Sequence, residues 1–447
     1  MVKVITYGTF DLFHEGHYRL LQRAKALGDY LIVGVTTERY DKARGKLNVV
    51  DSLMTRIENV KKTGFADEII IEETVGQKVR DVKKYGVDIF TVGSDWVGSF
   101  DYMEEYCKVV YLERTKNVSS TMLRNQNYKI QRIGIIGNGR IAQRFVAEAK
   151  SVSGVSIQGV YNPHFESAQN FAQKNEICCY GSIDEMFQDV DLVYVASPHE
   201  THYEYVKRAL EHEKHVICEK PITMCKSELE ELFAIAKQKQ RILMEGIKTA
   251  YCPGFNLLTD IACSGVIGHI RYVDACFTKL ENPANRELQD ERYGGSFTEL
   301  ASYVLLPIVK LFGTDYKDVH FECIKDNKGI DLFTKASLKY EKGLATATCG
   351  LGVKAEGRLL IGGTKGYIVV EAPWWKTTYF EVHFEDANRV EKYSERYMGD
   401  GLRYEISECL NQISGNSTGN FALTREESLT IAEIIEKFMQ ERNEENK

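Results

Sequence analysis

Twice in this chain a short apolar run ends at a glycine-bearing turn and gives way to helical spacing. The first run, residues 2–6, leads into Y-G-T-F-D-L-F-H-E-G-H (7–17), after which Leu20, Leu21, Ala24 and Leu27 recur as on one helix face. The second, residues 133–136, leads into G-N-G-R-I-A (137–142) and a helix predicted through Ala149. Strand, sharp turn and helix in that order open a doubly wound α/β sheet, and ligands of such sheets bind beyond the carboxyl ends of the strands. Helix N-termini at those turns attract anions through their free N–H groups and dipole. A chain of 447 residues is too long for one ordinary core, so the two junctions mark separate domains. No internal repeat relates them.

His14 and His17 stand three apart where the first helix begins, hence on one face, and Gly16 lets a ligand approach the backbone. On these residues alone three readings stay open. The pair could cap the helix, form half of a zinc site, or bind phosphate; no Cys, Asp or Glu at obvious spacing completes a zinc set. Strands are predicted at 30–35, 68–71 and 88–92, with a helix at 77–85 between them. The polar stretch 36–51 carries Lys42, Arg44 and Lys46. It reads as a solvated loop or as a basic loop that closes over a triphosphate.

G-T-F-D-L-F-H-E-G-H resembles the H-x-G-H signature of the nucleotidylyltransferase superfamily. The chain up to about Thr121 is similar to glycerol-3-phosphate cytidylyltransferases, also through G-D-Y-L-I-V-G-V-T-T (28–37), V-G-S-D-W (92–96) and Y-L-E-R-T-K-N-V-S-S-T (111–121). Residues 114–121 resemble that family's R-T-x-G-I-S-T-T, with Asn117 for the glycine and Ser120 for a threonine. Both changes are mild, since Asn tolerates a left-handed backbone and Ser keeps the hydroxyl. The resemblance implies in-line attack by a phosphate monoester on the α-phosphorus of CTP, with release of pyrophosphate. Mg²⁺ would be held by the triphosphate and not by protein ligands. His14, His17, Lys46 and Arg114 are the implied catalytic residues. Gly8, Thr9, Phe10, Arg44, Asp95, Trp96, Thr115, Ser119, Ser120 and Thr121 would surround CTP, and Arg56 matches an arginine on the helix after the loop.

Residues 123–131 are polar and read as a linker. Beyond it the strand–glycines–helix context at 137–142 is what a dinucleotide fingerprint needs. The next predicted strand, 155–160, ends at Tyr161-Asn162. A carboxylate there would repel a 2′-phosphate; Asn162 permits NADP(H), and no neighbouring arginine demands it, so the choice stays open with a lean toward NADP(H). A strand at 191–196 precedes Ser197-Pro198-His199, and H-V-I-C-E-K-P follows at 215–221. Residues 134–245 resemble the glucose–fructose oxidoreductase and inositol dehydrogenase family, with its E-K-P intact at Glu219-Lys220-Pro221; K-T-A-Y-C-P-G-F (248–255) fits that family's entry to its second half. The resemblance implies that Lys220 stands beside the nicotinamide. Gly137, Asn138, Gly139, Arg140, Ile141, Asn162, Pro198, His199 and Glu219 would complete the cofactor site. On a helix predicted over 297–312, G-G-S-F-T-E-L-A-S-Y (294–303) resembles G-G-x-x-x-D/E-x-x-x-H, with Tyr303 for the histidine as in dihydrodiol dehydrogenases. Tyr303, its pKa lowered by Lys220, would protonate a carbonyl oxygen; a packing tyrosine is the alternative. Alternating stretches at 271–277, 336–340, 344–349, 359–361 and 366–371 suggest an open, largely antiparallel sheet.

The formal net charge of −7 argues against a general nucleic-acid binder, and no apolar run of roughly eighteen residues suggests a membrane span. Eleven scattered cysteines without a C-x-x-C pair, and no signal-peptide pattern, suggest a cytoplasmic protein with free thiols. The charged tail 440–447 is expected to be a frayed helix end. The expected architecture is α/β: a small doubly wound, Rossmann-like nucleotidylyltransferase domain (1–127), a dinucleotide-binding Rossmann domain (130–250), and an α+β domain on an open antiparallel sheet (251–447). The last would carry the substrate pocket and the face of a homodimer or higher oligomer. The expected function is bifunctional: NAD(P)H-dependent reduction of a ketose-type phosphate to an alditol phosphate, then cytidylyl transfer to give a CDP-alditol for teichoic-acid-like or capsular polymers. The alternatives are halves with unrelated substrates, or a nucleotide-sensing half that regulates the other.

Overall fold

The structure, a computed structural model, describes residues 1–43, 49–74, 76–98, 100–113, 130–414 and 423–445. The chain divides into two compact units, one centred on Met1–Ile130 and the other on the remainder.

The first unit is a parallel sheet of β1 (Lys3–Gly8), β2 (Tyr30–Thr36), β3 (Glu68–Glu72), β4 (Ile89–Gly93) and β5 (Lys108–Leu112), in the order β3-β2-β1-β4-β5. Continuous apolar strands suit it because successive side chains enter opposite cores. Val4, Leu31 and Val33 pack with Leu21 and Val60 on one face. Ile5, Ile32 and Phe90 pack with Val82 on the other. The strand order reverses between β1 and β4, so their carboxyl ends, Gly8–Thr9 and the turn Ser94–Trp96, flank the crevice.

The polar stretch read as a loop begins instead with a helix, Glu38–Ala43. Its anchor is Asp41, fully buried, which accepts hydrogen bonds from the hydroxyls of Thr9 (2.9 Å) and Thr36 (2.5 Å) at the ends of β1 and β2. Arg56, on the helix Leu53–Lys62, is also fully buried and donates to the carbonyls of Thr9 (2.9 Å) and Thr36 (2.7 Å). It braces the two strand ends from within.

The second unit opens with β6 (Gln131–Ile136), so Gln131 belongs to a strand and not to the linker; 123–129 lie outside the described residues. With β7 (Val155–Tyr161), β8 (Cys178–Cys179), β9 (Leu192–Val195), β10 (His215–Glu219) and β11 (Leu243–Gly246) it makes a parallel sheet ordered β11-β10-β9-β6-β7-β8. An eight-stranded sheet follows: β12 (Ile270–Thr278), β13 (Asp318–Lys325), β14 (Asp331–Lys339), β15 (Leu344–Gly350), β16 (Leu359–Gly363), β17 (Gly366–Val370), β18 (Tyr379–Phe384) and β19 (Val390–Ser394). It is antiparallel except where β12 runs parallel to β15, so the sheet is mixed. β13 and β19 are its edges, and both escaped sequence reading, as did the interior strand β18.

The helix Ser296–Phe312 packs on β12 and β15 and against the helix Arg425–Glu445. Sandwiched in this way it buries polar Thr298 and Ser302 as well as Leu300, Val304 and Ile308. The charged tail does not fray at Arg442. That side chain is 2 % exposed and donates to the carbonyls of Gly294 (2.7 Å) and Arg292, beside buried Asp331 at 3.6 Å.

Candidate active sites

In the first unit, the chain leaves β1 through Gly8 and Thr9 and turns at Phe10 and Leu12, both with positive φ (54° and 47°). That kink seats the buried Phe10 ring under His17, with ring centres 5.5 Å apart. His14 caps the helix Glu15–Lys25, and its Nδ1 accepts the Gly16 N–H at 3.0 Å. An Nδ1 that accepts leaves the proton on Nε2. Burial also lowers the His14 pKa, which favours the neutral ring. The His14 and His17 rings stack at 3.9 Å and 20°. The cap reading holds for His14: one nitrogen caps the helix, and the other is a donor at a terminus that attracts anions. Among the described residues no group of three His, Cys, Asp or Glu side chains could hold a metal ion.

Asp11, which sequence reading passed over, is buried and accepts the N–H groups of Val50 and Asp51, each at 2.9 Å; Asp51 in turn accepts the Leu12 N–H at 2.9 Å. This reciprocal clamp holds Val50 and Asp51 against the histidine turn. Trp96, half exposed, stands with Asp95 on the turn after β4. Arg44, Lys46, Arg114, Thr115, Ser119, Ser120 and Thr121 lie outside the described residues.

In the second unit, Gly137 follows β6 with φ 95°, and a Cβ there would meet the Ala196 carbonyl oxygen at 2.5 Å. Only glycine closes this turn against the end of β9. Gly139 caps the helix Arg140–Ala149, and nothing stands within 4 Å of where its Cβ would be. The turn lies at the β6/β9 reversal of strand order, and its bare backbone fits a pyrophosphate. Asn162, at the end of β7, donates to Asn138 Oδ1 (2.8 Å) and accepts the His164 N–H (2.9 Å), while Asn138 donates to Ser167 Oγ (2.7 Å). This neutral set has no carboxylate that would repel a 2′-phosphate.

All ten residues expected to hold the cofactor line one cavity of about 670 Å³, and Tyr303 lines it too. Lys220 Nζ donates to the Glu299 carbonyl at 2.9 Å, lies 3.8 Å from Glu299 Oε2 and 5.6 Å from the Tyr303 ring centre. Glu219 is buried and accepts the Tyr194 hydroxyl at 2.6 Å. Burial, then Lys220, His202 and Arg286, hold the His199 imidazole well below its ordinary pKa, so it is neutral.

The expected lowering of the Tyr303 pKa is not found. Burial pushes it well above its ordinary value, and Glu219 and Glu405 add to the rise. The Lys220 ammonium lies over the ring but does not outweigh the lost water and the surrounding carboxylates. Sequence reading also missed the opposite wall, where Trp375 stacks on Phe277 (3.6 Å, 8°) and Phe277 meets Tyr303 edge-on at 5.4 Å. Nothing in the local pattern around 374–376 marks it as part of a site.

Three family models match the chain: "Cytidylyltransferase-like" over residues 5–126, "Oxidoreductase family, NAD-binding Rossmann fold" over 131–247, and "GFO/IDH/MocA C-terminal domain" over 255–369. A glycerol-3-phosphate cytidylyltransferase of Bacillus spizizenii is 46 % identical over 124 residues, which is 28 % of this chain and 95 % of that protein. A scyllo-inositol 2-dehydrogenase (NADP(+)) of Bacillus subtilis is 29 % identical over 317 residues, 68 % of this chain and 95 % of that protein. A 3-ketoreductase from Actinomadura kijaniata, solved with TDP-benzene and NADP, shares the fold of the second unit at TM-score 0.59 and 22 % identity, over 68 % of this chain and 95 % of that one. The chain is thus a bifunctional enzyme in which a domain of the cytidylyltransferase-like family is joined to an oxidoreductase of the GFO/IDH/MocA family.

Proposed function

We propose that the two halves make a CDP-alditol in succession. The second unit reduces a ketose-type phosphate to an alditol phosphate, and the first couples that phosphate to CTP with release of diphosphate. The observation that carries this reading is the first unit's likeness to glycerol-3-phosphate cytidylyltransferases over nearly their whole length, which makes a polyol phosphate the acceptor. A fused reductase then has an obvious product to supply. Glycerol phosphate is the nearest acceptor; ribitol, arabinitol and mannitol phosphates are the others to test.

In the transfer, an oxygen of the alditol phosphate attacks the α-phosphorus in line, one P–O bond forms, and the bond to the β-phosphate breaks. His14, neutral with its proton on Nε2, donates to the charge that grows on the phosphates, and His17 stacked on it does the same. Mg²⁺ arrives with the triphosphate as part of the substrate. In the reductase, bound NAD(P)H supplies the hydride. Lys220 orients and polarises the substrate carbonyl, and Tyr303, protonated throughout the neutral range, gives its proton to the carbonyl oxygen. Asn162 and its neutral neighbours favour NADPH. The setting is cytoplasmic, and the product feeds a cell-wall or capsular polymer.

The test is a product screen of the whole chain with CTP, NADPH and a panel of ketose phosphates. The expected result is consumption of both cofactors and a CDP-alditol. Consumption of only one with every ketose phosphate defeats the coupled reading.

A further inference from the structure

The oxidoreductase cavity is lined by seven lysine and arginine side chains but only four carboxylates, so it carries a surplus of positive charge. Most of the cations are spoken for. Glu299 faces Lys220 and Arg286, Glu287 holds Arg140 at 2.9 Å, Asp400 faces Arg144 at 3.8 Å, and Lys279 binds Glu281 at 2.6 Å. Lys248 and Lys376 form no ion pair with any described residue. Lys248 is 9 % exposed, yet it lines the cavity. A buried ammonium without a counter-ion is costly unless a ligand supplies one. Its neighbouring carboxylates, Glu219 and Glu405, act on it through space without forming an ion pair or hydrogen bond to it. Glu405 is fully buried with neither carboxyl oxygen hydrogen-bonded, and burial, then Glu219, push its pKa well above the ordinary carboxylate value, with Lys248 opposing. Glu219 is shared with Lys220 and Tyr194.

Position separates these lysines from the cofactor's phosphates. Lys248 begins the turn after β11, and β9 and β10 intervene between β11 and the β6 glycine turn. At the usual spacing of neighbouring strands the two strand ends are about 14 Å apart. The Thr249 hydroxyl donates to the Trp375 carbonyl at 2.8 Å, which ties the Lys248 turn to the Trp374–Lys376 turn. Trp375 in turn lies on Phe277, which meets Tyr303. Both lysines therefore belong to the substrate end of the cavity.

We propose that Lys248 and Lys376 form a phosphate-monoester subsite that makes this oxidoreductase select a phosphorylated ketone over its phosphate-free counterpart. The proposal rests on the ketose-phosphate reading above and goes beyond it by naming the residues that impose the choice. The test uses the full chain, NADPH, and two substrate pairs: dihydroxyacetone phosphate with dihydroxyacetone, and ribulose 5-phosphate with ribulose. The readout is the ratio of kcat/KM within a pair. The wild type should favour the phosphorylated member by about 10²-fold or more, and inorganic phosphate should compete with it. Lys248→Met should cut the ratio by about tenfold to a hundredfold through KM, Lys248→Arg should keep most of it, and Lys376→Met, at a half-buried position, should cut it by a smaller factor. An unchanged ratio in both Met variants, with wild-type selectivity intact, overturns the subsite alone. Turnover of neither member of either pair by the wild type overturns the ketose-phosphate reading and the subsite with it.

Discussion

In the first unit, Gly8, Phe10, His14 and His17 come from a single strand–turn–helix segment. In the second, Gly137, Lys220, Tyr303 and Trp375 come from four separate segments, and the last two belong to the part of the chain that carries the mixed sheet. Both crevices lie at a reversal of strand order and both offer a helix N-terminus to phosphate. The difference is in what keeps the chemistry in place. The histidine pair is held by its own turn, through the Gly16 N–H and the Phe10 ring. The lysine–tyrosine pair is held by packing between domains of one unit, through the Glu299 carbonyl that receives Lys220 from the buried helix Ser296–Phe312.

The largest effect expected is at Lys220. Lys220→Met should lower NAD(P)H turnover about 10³-fold while cytidylyl transfer by the same protein persists; loss of both would break the comparison, because the halves would then not be independent. Next comes His17→Ala, which should reduce CDP-alditol formation by about 10²-fold or somewhat more and spare the reductase. Near-normal transfer would remove the histidines from the chemistry.

Tyr303→Phe should cost about 10²-fold in reduction. Because burial holds the Tyr303 proton well above its ordinary pKa, the wild-type rate should show no loss from this group as pH rises from about 6 to 9. A falling limb in that window that disappears in Tyr303→Phe would mean the phenol is acidified after all.

The smallest effect is one of stability. Burial pushes the Glu245 carboxyl up to about 7 from 4.5, with the Ser428 hydroxyl and the Ile222 N–H opposing. Between those two values the folded protein keeps a proton that the unfolded chain has released, so stability falls as pH rises from about 4.5 to 7. Glu245→Gln mimics the protonated form. It should raise Tm by about 2 °C at pH 8 and leave it unchanged at pH 5, measured by calorimetry; an equal shift at both pH values would place the effect in packing instead.

The strand–turn–helix junctions were legible because their information is local. Residues 2–17 and 133–149 carry period, glycine and cap within a few positions, and the helices and strands follow them closely. The E-K-P and G-G-x-x-x-E motifs likewise pointed to one cavity before any coordinates did. What went astray was contextual. The 38–43 helix reads as loop because it is held by Asp41 reaching the ends of two strands, not by its own propensity. The tail reads as frayed because Arg442 finds its carbonyls about 150 residues upstream.

By itself, then, the order of residues determined two parallel-sheet units, their glycine turns and the identity of His14, His17, Lys220 and Tyr303 as candidates. Only the tertiary structure decided the protonation of Tyr303, the ionic pairing around Glu299, and the gathering of Lys248, Phe277, Trp375 and Lys376 in one cavity. The reason is physical. Periodicity and turn chemistry act over a few residues, whereas desolvation and Coulomb interactions depend on which distant segments packing brings within a few ångströms.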